Sequence, residues 1–160
     1  MINLNGTEKN RCEGMDVFML KRLLVLNGPN LNLERDRSIY GEYSLEKLEK
    51  ALQSFVAKTD FSLDCFQSNH EGELIDRLHE ADGYYTGIIF NPAAYTHTSI
   101  ALRDAIAAID TPVIEVHLSN INKREEFRRK SLLAPVCHGQ ITGLGMQSYL
   151  AAAYVFTNHL

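Results

Sequence analysis

Three features of the sequence predict an α/β protein whose parallel β-sheet is covered by helices on both faces. Short apolar runs that suit buried strands alternate with segments whose apolar residues recur at helical spacing. Gly, Pro and Asn follow several of the apolar runs, where they stop a strand. The length of 160 residues suits one domain with a full core. Because strands and helices alternate, we expect a five-stranded parallel sheet in the order 2-1-3-4-5.

The first predicted strand is the apolar run Leu23–Leu26, which ends at the turn sequence Asn27–Asn30. A wholly apolar strand suits the middle of a parallel sheet, where both faces are covered. A long polar segment separates this strand from a helix that we expect to begin after Ser44, a good N-cap residue. Connections of this length are uncommon in compact domains and are usually functional. The segment contains Arg35, Arg37, Tyr40 and Tyr43.

The remaining elements follow from the same patterns. After the helix that begins near Ser44, Ser68–Glu71 fits a capping box at the start of a second helix, which ends at Asp82–Gly83. In a third predicted helix, over about 98–109, Asp104 shares an outward face with His97.

The other predicted strands are Phe61–Gln67, Gly87–Phe90, Val113–His117 and Val136–Ile141. The other predicted helices cover 123–130, where Arg124 and Arg128 are neighbours, and the segment from Gly145 to about 157.

Composition and charge narrow the class of protein. The net charge of −4 argues against nucleic acid or an anionic membrane as an electrostatic partner. No apolar run reaches transmembrane length. The three cysteines are odd in number and lack metal-ligand spacing, which argues against disulfides and favours a reducing, cytoplasmic location. We interpret residues 1–20 as a flexible N-terminal extension, in which Met15 or Met19 could be the true start.

Polar side chains follow three of the predicted strands and are expected to meet at one edge of the sheet. They include acid/base candidates, cations and amides, but no cluster of carboxylates or cysteines that would suit a metal. Neither Gly28-Pro29 nor Gly143–Gly145 makes a dinucleotide fingerprint or a phosphate-binding loop. The sequence therefore predicts acid/base chemistry on a small anionic molecule without a cofactor. The residues concerned are Asn27, Asn30, Arg35, Arg37, Tyr40, Asn91, Tyr95, His97, His117, Ser119, Arg124 and Arg128.

Each of these signals also has a purely structural interpretation. Tyr40 could pack on the surface, and His117 could be a buried histidine whose hydrogen bonds are satisfied. The charged segment Lys123–Lys130 could be a solvated helix face, and Asn27 and Asn30 could only cap turns. Their convergence on one edge of the sheet is what favours a functional site.

Several motifs together resemble the type II 3-dehydroquinate dehydratases. The similarity runs in order from residue 22 to about 157. The motifs are Leu26–Leu33 followed by Tyr40-Gly41, Gln67–Gly72, Asn91–Ser99, Glu115–Asn120, Arg124–Arg128 and Gly143–Gly145. This resemblance implies a flavodoxin-like three-layer sandwich in which residues 21–160 form a single catalytic domain. It also implies a cofactor-free lyase of the shikimate pathway that converts 3-dehydroquinate to 3-dehydroshikimate and assembles as a trimer-based dodecamer.

The resemblance assigns roles to individual residues. Tyr40 would be the general base, Arg35 would stabilise its anion, and His117 would be the general acid supported by Glu115. Asn30 would help to hold the enolate through a bound water. The substrate would be held by Asn91, His97, Arg128 and the backbone of Leu118 and Ser119, with Asp104 reaching a neighbouring subunit.

The segment Leu33–Gly41 departs from the family pattern. It is about two residues shorter than usual and lacks the usual Gly and Glu-Pro. Counting back from Tyr40 selects Arg35 as the catalytic arginine, whereas counting forward from Asn30 selects Arg37. A second hypothesis is therefore a flavodoxin-like binding protein that has lost turnover because this segment is shortened. A flavin-binding protein is disfavoured because no phosphate-binding loop follows the first strand.

Overall fold

The computed structural model of the chain describes residues 21–33 and 44–160, where five parallel strands form one sheet. The strand order is β2-β1-β3-β4-β5, as predicted. Predictions about the N-terminal extension and about Arg35, Arg37 and Tyr40 fall outside the described residues. The strands are β1 Lys21–Asn27, β2 Phe61–Gln67, β3 Gly87–Asn91, β4 Val113–His117 and β5 Gly139–Thr142.

Four α-helices of the described ranges cover the two faces of the sheet. They are α1 Leu45–Val56, α2 Glu71–Ala81, α3 Ile100–Ala108 and α4 Gln147–His159. Alternate side chains of β1 point to opposite faces: Leu23 and Val25 pack with α1 and α4, whereas Leu24 and Leu26 pack with α2 and α3. The fold is therefore a flavodoxin-like three-layer sandwich. Among the described residues, no helix is both long enough and apolar enough to cross a membrane.

One of the two predicted helix caps, Ser44, is confirmed. Ser44 caps α1 by accepting a hydrogen bond from the backbone N–H of Lys47. The capping box predicted at Ser68 is wrong, because α2 begins at Glu71 and its N-cap is His70. Ser68 instead lies in the loop between β2 and α2. Its N–H donates to the Asn27 carbonyl, and its hydroxyl donates to Glu73.

One predicted strand boundary and one predicted helix are also wrong. The predicted strand Val136–Ile141 begins later, at Gly139, because Ala134–Val136 forms a 3₁₀ turn around Pro135, whose nitrogen has no N–H for a β-ladder. The predicted helix 123–130 is two separate 3₁₀ turns, Ile121–Lys123 and Glu126–Arg128. An isolated helix this short is unstable in water, so tertiary contacts decide the local conformation.

The helix predicted over 98–109 is shorter in the structure, where it covers Ile100–Ala108. Ser99 caps α3 through the N–H of Leu102, at 2.8 Å. His97 belongs to a separate 3₁₀ turn, Ala93–His97, so it does not share a helix face with Asp104. His97 is half-buried at the carboxyl end of the sheet, whereas Asp104 is exposed on the outer side of α3.

Candidate active site

A cleft lies at the carboxyl ends of β1, β3 and β4 and opens to solvent at its mouth. These strand ends meet because the three strands are parallel neighbours in the sheet. The cleft is therefore the edge at which the sequence placed its candidate site. Its lining residues are Pro29, Asn30, Leu31, Leu33, Asn91, Ala93, Ala94, His97, His117, Leu118, Ser119, Ile121, Arg124 and Arg128.

His117 and Glu115 form a buried pair on β4. Because they are two residues apart on a strand, their side chains point to the same face. The His117 Nε2 atom lies 2.6 Å from Glu115 Oε1, and the Glu115 side chain is fully buried. Glu115 Oε1 accepts this hydrogen bond, so the Nε2 atom of His117 carries the proton. The other ring nitrogen, Nδ1, does not face Glu115.

Two hydroxyl groups complete the surroundings of the Glu115 carboxylate. Thr96 donates to Oε1, and Ser131 Oγ lies 2.9 Å from Oε2. Burial by itself raises the pKa of Glu115, but the hydrogen bond and charge of His117 and the bonds from Thr96 and Ser131 outweigh it. The pKa of Glu115 is therefore held below its ordinary value. Glu115 is therefore an anion next to His117 at neutral pH.

His97 is fixed by the chain segment that carries the arginines. Its Nδ1 atom lies 2.8 Å from the carbonyl oxygen of Lys130. A carbonyl can only accept, so Nδ1 carries the proton and Nε2 is left as an acceptor when the ring is neutral. The same segment is joined to the 3₁₀ turn of His97 by the N–H of Leu132, which donates to the Thr96 carbonyl at 2.8 Å.

Two arginines of the cleft share one carboxylate. Arg128 donates to Glu125 at 2.8 Å and stacks on the Phe127 ring, whereas Arg124 contacts Glu125 at 3.3 Å and the Ser119 hydroxyl at 3.3 Å. The pKa of Glu125 is lowered by its own backbone N–H and by these two guanidinium groups. Two cations at one wall of the cleft suit a ligand that carries negative charge or several hydroxyl oxygens.

The loop after β1 forms the opposite wall. Gly28 donates its N–H to the Asn91 carbonyl at 2.7 Å, and Asn30 adopts a left-handed conformation with φ 65°. Asn tolerates this conformation better than most residues. The Asn30 N–H donates to the Asn69 side chain at 2.8 Å, which ties the turn to the end of β2. The Asn30 side chain is exposed at the cleft.

Most of the predicted site residues within the described ranges line this cleft: Asn30, Asn91, His97, His117, Leu118, Ser119 and Arg128. Asp104 and Tyr95 do not line it, and Tyr95 instead donates its hydroxyl proton to the Asn69 carbonyl. Asn27 is fully buried below the cleft floor.

Sequence reasoning gave no role to several residues of the site. Arg124 was predicted to lie at the strand ends but was assigned no role. Its positive charge and its position after β4 could have indicated one. Thr96 and Ser131 carried no signal, because a hydroxyl residue in a loop is common and its partner is set only by the folded chain. Leu31 and Ile121 supply apolar wall that the polar pattern could not indicate.

The fold and the cleft define an α/β protein with an acid/base site at the carboxyl ends of its strands, and comparisons with known proteins give its family. A sequence profile described as Dehydroquinase class II matches residues 21–157. The 3-dehydroquinate dehydratase of Anoxybacillus flavithermus (strain DSM 21510 / WK1) is 58% identical over 133 residues, covering 82% of this chain and 90% of that protein. The 3-dehydroquinate dehydratase of Bacillus pumilus (strain SAFR-032) is 55% identical over 139 residues, covering 85% and 95%.

A solved structure has the same fold. The type II dehydroquinase of Butyrivibrio crossotus DSM 2876 matches with a TM-score of 0.83 and 44% sequence identity, covering 85% of this chain and 97% of that chain. This chain therefore belongs to the class II dehydroquinase family. The family is one of hydro-lyases, so the predicted family and the predicted enzyme class are both confirmed.

Proposed function

We propose that this protein dehydrates 3-dehydroquinate to 3-dehydroshikimate, as a cofactor-free step of the shikimate pathway in aromatic amino acid biosynthesis. The observation that carries the proposal is the buried Glu115–His117 pair, which opens into a cleft with two arginines on one wall. The substrate is a small carboxylate with several hydroxyl groups. The family of this chain, its relatives and the two arginines on the cleft wall all favour that class of ligand.

The first step is removal of a proton next to the substrate's ketone. We assign Tyr40 as the base, following the family motif. A tyrosine has a pKa of about 10, and a nearby guanidinium such as that of Arg35 lowers it by stabilising the tyrosinate. The electron pair of the broken C–H bond passes to the ketone oxygen and gives an enolate. Asn30, through a bound water, would stabilise that oxyanion.

The second step expels the hydroxyl group from the opposite face of the substrate, which makes the elimination anti. Hydroxide is a poor leaving group, so His117 must give it a proton as the C–O bond breaks and the C=C bond forms. The proton taken by Tyr40 and the proton given by His117 balance as one water is lost. The anionic Glu115 supports this role, because it accepts the hydrogen bond from Nε2 and so orients the imidazole ring. General acid assistance is typically worth about 10²–10⁴-fold.

The remaining residues would hold the substrate. Backbone N–H groups of Leu118 and Ser119 suit its carboxylate, and Arg128 suits both charge and hydroxyl recognition. The Nε2 atom of His97 would accept from a substrate hydroxyl, since Nδ1 donates to the Lys130 carbonyl. Asn91 supplies an amide at the cleft floor. No metal enters this scheme.

The base is tested by Tyr40→Phe, which removes only the hydroxyl group. We expect turnover, measured by the absorbance of the conjugated enone of 3-dehydroshikimate, to be lost, while calorimetry still detects substrate binding. Turnover by the variant at more than a tenth of the wild-type rate would contradict the assignment of Tyr40.

The arginine is tested by Arg35→Ala and Arg37→Ala in the same assay. We expect loss of turnover in Arg35→Ala alone, because Arg35 has the family's spacing to Tyr40. Loss in Arg37→Ala alone would contradict that choice and would move the assignment by two residues. The two variants control for each other, since both remove one positive charge from the same segment.

We also propose that the protein works in the cytoplasm as a trimer-based homododecamer, in which Asp104 reaches the substrate of a neighbouring subunit. The thiols of Cys65 and Cys137 are unpaired, which suits a reducing compartment. The outer face of α3 carries exposed apolar residues beside Asp104, among them Ile100 at 65% exposure. Such a face suits a subunit interface.

A further inference from the structure

Three buried side chains form a hydrogen-bonded row that begins at the cleft floor and continues beneath it. Tyr149 of α4 lies between Asn27 at the end of β1 and Asn91 at the end of β3. The exposed fractions of Asn27, Asn91 and Tyr149 are 0%, 2% and 0%. Buried polar groups are costly unless they are paired, so the bonds within the row decide how each amide is turned.

The amide of Asn91 is oriented by two contacts. The backbone N–H of Ala93 donates to Asn91 Oδ1 at 3.1 Å, which places Nδ2 on the opposite side. There Nδ2 donates to the Tyr149 hydroxyl at 2.7 Å. An amide nitrogen carries two hydrogens. Tyr149 takes one of them, and the other remains for a molecule in the cleft that Asn91 lines.

The far end of the row fixes the direction of the hydrogen bonds. The Tyr149 hydroxyl lies 2.7 Å from Asn27 Oδ1, to which it donates its single proton. Rotating the Asn27 amide would point Nδ2 at Tyr149, and the hydroxyl proton would then lack that acceptor. The Nδ2 atom of Asn27 is buried without a hydrogen-bond partner among the described residues. The pairing with Tyr149 is therefore maintained even though one donor is left unsatisfied.

We propose that Tyr149 is a positioning residue, which holds the Asn91 amide as a hydrogen-bond donor to the substrate. The proposal rests on the substrate-binding role proposed above for Asn91. Tyr149 does not line the cleft, and its bond to Asn91 connects it to a residue that does. Without its hydroxyl, Asn91 Nδ2 loses its fixed acceptor, and the amide is free to turn its carbonyl oxygen away from the Ala93 N–H.

The test is Tyr149→Phe, which keeps the ring that packs in the core and removes the hydroxyl. We expect KM to rise about tenfold, the effect of one well-placed hydrogen bond, while kcat changes less than threefold. Tyr154→Phe is the matched control, because it removes a hydroxyl from the exposed side of the same helix. Its KM and kcat should stay within twofold of wild type.

A double-variant cycle separates positioning from general damage to the fold. We expect Asn91→Ala to raise KM, and Tyr149→Phe combined with Asn91→Ala to be no worse than Asn91→Ala within twofold. If Asn91→Ala raises KM but Tyr149→Phe leaves it within twofold of wild type, the inference on Tyr149 is wrong and the function of Asn91 stands. If the two effects multiply, Tyr149 acts by another route, which also overturns the inference.

Two further outcomes complete the test. If neither Asn91→Ala nor Tyr149→Phe changes KM, the substrate-binding role of Asn91 is itself wrong. Should Tyr149→Phe fail to fold, Asn27→Ala perturbs the other end of the row, and the same cycle with Asn91→Ala applies. A KM for Asn27→Ala within twofold of wild type would then overturn the inference.

Discussion

At the scale of single residues, the site depends on a carboxylate that is buried and still ionised. Removing Glu115 from water opposes its charge, and three hydrogen bonds, from Thr96, Ser131 and His117, offset that cost. A buried ion pair is weak evidence for stability, because desolvation can exceed the attraction. We interpret the role of the pair as keeping the ionised Glu115 carboxylate beside His117.

The lowered pKa of Glu115 gives a prediction for acid unfolding. A carboxyl whose pKa is lowered by folding stabilises the protein above its unfolded pKa, about 4.5, and this stabilisation is lost as pH falls through the lower folded value. Glu115→Gln should therefore be less stable at pH 7, by about 1–3 kcal/mol. It should lose less further stability than wild type between pH 7 and pH 3.5, as measured by urea unfolding at one protein concentration.

A control for this prediction is Glu46→Gln, which changes an exposed carboxylate paired with Lys50. Solvent screens that pair, so the variant should follow the wild-type pH dependence closely. Equal losses of stability on acidification in wild type and in Glu115→Gln would contradict the account of Glu115.

At the scale of elements, the cleft exists because the loops after β1 and β3 touch. A Cβ atom at Gly28 would lie 2.6 Å from the Pro92 carbonyl oxygen, which is backbone and cannot move aside alone. The contact holds the two strand ends, and with them Asn30 and Asn91, at their present spacing. Any side chain at position 28 must separate the two loops.

Gly28→Ala should therefore destabilise the protein by about 1–3 kcal/mol and raise KM, because overpacking displaces one wall of the cleft. Gly72→Ala is the matched control: it lies near the start of α2, where a Cβ atom meets nothing within 4 Å. That variant should be as stable as wild type or more stable by about 0.5–1 kcal/mol, since Ala favours a helix. Thermal unfolding and steady-state kinetics check both, and a Gly28→Ala protein with wild-type stability and KM would contradict the close contact.

The sequence predicted those elements whose signals are local. Apolar runs indicated all five strands, and Ser44 marked a helix start, because burial and capping act over a few residues. Ser68 and the segment 123–130 were predicted wrongly, because each is bonded to a distant part of the chain. Ser68 donates its N–H to the Asn27 carbonyl, and the Lys130 carbonyl accepts from His97. The candidate site followed from topology, since parallel strands bring their carboxyl ends together. The bonds from Thr96 and Ser131 to Glu115 could not be predicted, because they join three separate segments.

At the scale of the whole molecule, α3 presents a face with no partner among the described residues. Ile100, Ala101, Asp104, Ala107 and Ala108 are all exposed, and their spacing places them on one side of the helix. A single charge within an apolar face fits the proposal that Asp104 enters a neighbouring subunit's site. Light scattering should then report about twelve times 18.1 kDa.

Subunit mixing tests whether Asp104 acts in trans. Asp104→Ala should lower kcat/KM about tenfold or more, as loss of a charged hydrogen bond does, and His117→Ala should be nearly inactive. An oligomer of both variants should regain activity, because the Asp104→Ala subunit keeps its own His117 and receives Asp104 from the other. Activity no higher than the average of the two separate variants would contradict action across an interface.

We propose that this cleft eliminates water from 3-dehydroquinate with His117 as the general acid. The most direct measurement is the rate of enone formation from 3-dehydroquinate by the wild type and by His117→Ala. We predict turnover by the wild type and a kcat lower by about 10²–10⁴-fold in the variant, with its fold retained. A folded wild type that binds the substrate without forming the enone would contradict the claim and indicate a binding protein, and an unchanged kcat in His117→Ala would remove His117 from the chemistry.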